Sequence, residues 1–115
     1  MWLITPVGFF SVVQKPTDVA TQTLTVRARV RSDLEALRSR YLPALGDIEE
    51  SAVNDYRFRA TAPRDAVAAA MAMLVQEVDY DNFKDAVKAR QGASRANLYH
   101  QVWDVLYRLQ KRGKG

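Results

Sequence analysis

Arginine carries most of the chemistry this sequence can offer. Residues 24–31 read LTVRARVR, and at a period of two Leu24, Val26, Ala28 and Val30 fall on one side. Thr25, Arg27, Arg29 and Arg31 fall on the other. A second alternating stretch, DYRFRAT at 55–61, sets Tyr56, Phe58 and Ala60 against Arg57 and Arg59. Strands about 4.8 Å apart, with same-face residues about 6.7 Å apart, would gather these five guanidinium groups on one compact surface. Guanidinium is a planar donor suited to carboxylate and phosphate. Phe9 and Phe10 are adjacent, so in a regular strand one of them must face the same way as the arginines. Aromatic rings among arginines on an open sheet stack bases and hold phosphates in single-strand-binding folds. The other readings are a solvated face, a face neutralised by Asp47, Glu49, Glu50 and Asp55, or a face covered by a second copy.

Other chemistry is thinner. His100 is the only histidine, and Asp104 lies one helical turn further on, so an oriented imidazole could act as a general base. No serine or cysteine nucleophile can be assigned beside it. Asp79, Asp81, Asn82 and Asp85 are oxygen ligands of the kind hard cations take, but they lack the glycine and distal glutamate of a calcium loop. Helix capping accounts for Asp79 and Asp81 more simply. Tyr99, Trp103 and Tyr107 recur every four residues, which suits core packing or the edge of a partner interface. The glycines form neither a phosphate loop nor a dinucleotide fingerprint. Nothing implies a bound metal or a cofactor.

The elements needed to position these residues follow from patterning. Residues 2–5 and 8–14 read as buried strand, bent at Pro6-Val7-Gly8. Residues 15–23 read as a loop and 23–31 as a strand. Ser32 or Asp33 caps a helix that runs to about Tyr41 and ends at Pro43 and Gly46. An acidic connection at 46–55 has room for a short strand, and 55–61 is a further strand. Helices follow over 63–78, 79–92 and 93–112. The strand–helix–strand unit from 23 to 61 implies a right-handed crossover between parallel strands. The expected fold is α+β, a two-layer sandwich with a small mixed sheet and helices on one face. It is ferredoxin-like in character with altered connectivity.

The chain has 115 residues, and one domain over 1–112 with a disordered basic end at 113–115 is expected. Seventeen basic and 13 acidic residues give a net charge of +4, which fits an anionic partner. Cysteine is absent, which removes disulfides, thiolate chemistry and the usual zinc sets. The apolar opening MWLITPVGFFSVV is too short for a spanning helix and lacks the basic start of a signal peptide. The expected location is cytoplasmic, with no membrane partner.

MWLITPVGFFSVVQK, LTVRARVRSDL, DYRFRA, DYDNFK and YHQVWDVLY together resemble a family of small bacterial proteins of unassigned function, over most of the chain. That resemblance implies a bacterial, cytosolic, stand-alone domain and brings no activity, cofactor or catalytic residue. The leading expectation from the residues is a non-enzymatic binding module. Its arginine face would take an acidic protein or single-stranded nucleic acid. The alternatives are a homodimer that hides the sheet face or the last helix, and a small enzyme centred on His100.

Overall fold

A computed structural model describes residues 1–112. The expected disordered end at 113–115 lies outside the described residues. The chain divides into two compact units, Met1–Asp79 and the chain from Tyr80 onward.

The first unit is an antiparallel sheet with helices packed on it. β1 (Trp2–Ile4) and β2 (Phe9–Val13) form a hairpin. The expected bend at Pro6-Val7-Gly8 is its turn. The Thr5 hydroxyl donates to the Gly8 carbonyl and accepts from the Val7 and Gly8 amides. Residues 15–23, expected to be a loop, contain a short helix, α1 (Pro16–Thr21), with proline in its first turn. Gln22 ends it in the left-handed conformation at φ 53°. β3 (Thr23–Ala28) follows, then α2 (Arg31–Arg40), β4 (Glu49–Glu50), β5 (Phe58–Pro63) and α3 (Arg64–Gln76).

The strand order is β1-β2-β3-β5-β4 with every neighbouring pair antiparallel. The α+β class holds, but the sheet is not mixed, and β3 and β5 are not a parallel pair. The crossover through α2 ends instead on the two-residue strand β4. Because β4 and β3 both run against β5, they run parallel to each other, and β5 is inserted between them as the return arm of a hairpin. The result is a split β-α-β unit. Two residues of strand are too few to register as a period, so sequence reading joined β3 directly to β5.

Phe10, Val12, Val26, Ala28, Ala60 and Ala62 point to the inner face of the sheet. Leu34 and Leu37 of α2 and Val67 and Ala70 of α3 pack on them. Tyr41, Leu42 and Leu45 close the end of this core. Fully burying each of these larger side chains stabilises the fold by roughly 1.5–3 kcal/mol before entropy is counted. The Tyr41 hydroxyl and the Glu77 carboxylate, 2.6 Å apart, tie the end of α2 to the end of α3.

The second unit holds α4 (Phe83–Gln91) and α5 (Ala93–Arg112). The α4 cap is Asn82, whose side chain accepts from the Asp85 amide at 2.9 Å, rather than the expected Asp79 or Asp81. Gly92, at φ 92°, makes the break between the two helices. Val87, Ala96 and Tyr99 are buried, and Phe83 stacks on Tyr99 with ring centroids 6.1 Å apart. The two helices pack on each other through these residues.

Candidate functional site

The outer sheet face is ordered by the strand register. Trp2 pairs with Ser11, Ser11 with Arg27, Arg27 with Arg59, and Arg59 with Glu49. Antiparallel partners project to the same side, so these five residues form one row across all five strands. Phe9 shares this face two residues from Ser11, and its ring meets Trp2 edge-on at 5.7 Å. Phe10 points the other way and is fully buried in the core. Phe9 is therefore the aromatic beside the arginines.

A residue expected in the core belongs to this face. Residues 51–57 form a loop between β4 and β5, and the alternation begins only at Phe58. Tyr56 lies in that loop and is 2% exposed. Its ring lies against the guanidinium carbons of Arg27 at 4.5 Å and Arg29 at 4.3 Å, and its centroid is 6.3 Å from Phe9. Trp2, Phe9 and Tyr56 thus form a chain of rings that ends between two guanidinium groups. Cation–π contact of this kind contributes about 0.5–2 kcal/mol per pair, more where water is excluded. The run SAVND before Tyr56 was the available signal, because turn-forming residues there break a strand pattern.

The five arginines do not have one environment. Arg57 is bound to Glu50, with nitrogen–oxygen distances of 2.7 and 2.8 Å. Arg31 is not on the sheet: it opens α2 and faces Glu35 one turn on at 3.7 Å. Val30 already adopts the extended cap conformation that precedes α2, so β3 stops at Ala28. Arg27, Arg29 and Arg59 make no ion pair with a carboxylate among the described residues. Arg27 donates to the buried Ser11 hydroxyl at 2.8 Å, and Arg29 donates to the Asp55 carbonyl at 2.6 Å. The Arg59 guanidinium approaches the Tyr56 carbonyl at 3.4 Å. Three buried polar atoms here have no hydrogen-bond partner: Arg27 Nε, Arg59 Nε and the Tyr56 hydroxyl. Three positive charges gathered without a counter-charge are electrostatically unfavourable, and an arriving anion would relieve them.

The acidic residues expected to neutralise this face do so only in part. Glu50 serves Arg57, whereas Glu49 stands in the same row as Arg59 without forming an ion pair. At the opposite end of the face, α1 contributes Asp18. Its carboxylate accepts from the Thr23 hydroxyl at 2.6 Å, the Thr25 hydroxyl at 2.8 Å and the Lys15 amide at 2.8 Å. Burial alone would raise the Asp18 pKa. The three hydrogen bonds, with the charge of Arg64, outweigh it and hold the carboxyl below its ordinary 3.8. Asp18 thus fixes the Thr23 end of β3 and leaves the arginine end uncompensated.

The remaining candidates lie in the second unit. His100 stacks on Trp103 at 5.4 Å, and Trp103 stacks on Tyr107 at 5.1 Å. Asp104 is 3.8 Å from His100 Nε2, with both side chains half exposed. His100, Trp103, Tyr99, Lys84 and Asp81 border a shallow hollow, and neither serine nor cysteine lines it. The described residues contain no group of three or more metal-binding side chains, so Asp79, Asp81, Asn82 and Asp85 are not drawn together as a ligand set. No helix among the described residues is long and apolar enough to cross a membrane. No family model, curated protein or solved structure matches the chain.

Proposed function

We propose that the protein is a non-catalytic binding module that holds a single-stranded nucleic acid on the outer face of its sheet. The carrying observation is the uncompensated trio Arg27, Arg29 and Arg59 beside the rings of Trp2 and Phe9. Phosphates would engage the guanidinium groups. A base would stack on Trp2, which is 68% exposed. An acidic protein would satisfy the same charges but would not need the protruding ring, and for that reason nucleic acid is the preferred partner. Arg29 carries the most accessible charge, and Arg27 and Arg59 set the field behind it.

The test is a fluorescence titration of labelled single-stranded RNA and DNA at two salt concentrations. Three phosphate contacts give a log–log salt slope of about −2, at roughly −0.7 per contact. Trp2→Ala should weaken binding by about 1–3 kcal/mol through lost stacking. Arg29→Ala should weaken it and flatten the slope by about 0.7. A slope near zero, or no binding at low salt, rejects this reading. Salt-dependent binding that ignores Trp2→Ala would mean that phosphates are held without stacking on Trp2, and it rejects the role given to that ring.

A further inference from the structure

The row across the outer sheet face has a polarity. In register order it runs Trp2, Ser11, Arg27, Arg59, Glu49. An exposed ring stands at one edge, two guanidinium groups lie inside, and an exposed carboxylate stands at the other edge. Next to Glu49 on β4, Glu50 is paired with Arg57, so the positive charge at that edge is already neutralised. A phosphate is therefore attracted to the middle of the row and repelled beyond it.

The positive charge is also concentrated. Arg27 and Arg59 are direct cross-strand partners, an arrangement in which like charges destabilise a sheet. All three guanidinium groups of the trio converge on Tyr56. The carbons of Arg27 and Arg29 lie 4.5 and 4.3 Å from its ring centre, and the Arg59 guanidinium lies 3.4 Å from its carbonyl. The Nε atoms of Arg27 and Arg59 are buried without a partner, and charges shielded from water gain more from a counter-charge than exposed ones do. A phosphodiester brings a single negative charge for each nucleotide. A terminal phosphomonoester brings about −1.5 to −2 charges and three acceptor oxygens to a single point. The second is the better match to cations gathered around one residue.

We infer that the site takes the phosphorylated end of a strand rather than its interior, an inference that rests on nucleic-acid binding by this face. Arg27 and Arg59 hold the terminal phosphate, with Arg29 beside them. The strand leaves toward Trp2, two strand spacings or about 10 Å away, where a base stacks on the exposed ring. Glu49 bars the opposite edge. A strand passing right across the row would carry its next phosphates over Glu49 and Glu50, whereas a strand that ends at the arginines carries none there.

Competition against an internally labelled strand tests this. Unlabelled strands of one sequence carry a 5′ phosphate, a 3′ phosphate, or hydroxyls at both ends. A further strand is hydroxyl-ended but one nucleotide longer, which adds a backbone charge without a terminal one. One of the phosphorylated strands should compete at least about tenfold better than either hydroxyl-ended strand, the gain of one added charge-assisted hydrogen bond. Arg59→Gln should bring that ratio close to one. Glu49 is exposed and forms no ion pair among the described residues. Glu49→Gln should therefore fold normally and shrink the ratio by strengthening the hydroxyl-ended strands. Inorganic phosphate should compete far more weakly than the phosphorylated strand. Equal competition by phosphorylated and hydroxyl-ended strands overturns the inference and leaves nucleic-acid binding standing. So does a phosphate preference that survives Arg59→Gln, which puts the terminal phosphate elsewhere. A ratio unmoved by Glu49→Gln overturns the polarity given to the row. Inorganic phosphate competing as well as the phosphorylated strand overturns the inference too, because the site would then hold a free anion with no strand attached. Failure of every strand to bind removes the inference together with the reading it rests on.

Discussion

At the scale of single residues, Tyr56 and Asp18 define the two ends of the outer face. The Tyr56 hydroxyl is buried without a partner, and such a group costs about 1–3 kcal/mol of desolvation. Tyr56→Phe keeps the ring between Arg27 and Arg29 and removes that cost. It should therefore leave the melting temperature unchanged or raise it. A lower melting temperature would mean that the hydroxyl bonds to a group in solution that the fold itself does not supply. Asp18 behaves in the opposite sense. Its lowered pKa means that its contribution is fully present above the ordinary 3.8 and is lost as pH falls through the depressed folded value. Asp18→Asn should cost about 1–3 kcal/mol near neutrality, because two hydroxyls and an amide lose a charged acceptor. Denaturant titrations of both proteins at falling pH should show the gap closing only below 3.8. Sequence reading found Arg27, Arg29, Arg59 and Phe9 because alternation is a strong local signal. It missed Tyr56 and Asp18 because both reach the face from segments that carry no period of their own.

Among the elements, the β1–β2 hairpin sets where Phe9 stands. The Asp33 carboxylate, from the first turn of α2, accepts the Phe9 amide at 3.1 Å. A Cβ on Gly8 would come within 2.6 Å of Asp33 Cγ. Glycine is thus needed for close approach, and Gly8→Ala should destabilise the protein by about 1–3 kcal/mol through overpacking. The same variant should weaken any binding that depends on Trp2 and Phe9. Thermal unfolding checks the first effect, and the oligonucleotide titration the second. By contrast, Glu50→Ala should change stability by less than about 1 kcal/mol, because the Glu50–Arg57 pair is largely exposed. The helices from 63 onward were legible within a few residues, since long periodic segments with a proline start and a glycine stop leave little choice. The sheet order was not legible. It turns on β4, a strand of two glutamates whose place is fixed by pairing with Phe58 and Arg59 rather than by its own composition.

For the whole molecule, the strand order dictates a history of assembly. β1, β2 and β3 are neighbours in sequence and close through short connections, so they can pair as soon as 28 residues exist. β5, the other neighbour of β3, arrives 30 residues later, after α2 and β4. Until then β3 presents a bare edge of amides and carbonyls, the kind of surface that recruits stray strands. β3 carries Arg27 within the strand and Arg29 just past its end, and charge on such an edge discourages stray pairing until the closing strand has arrived.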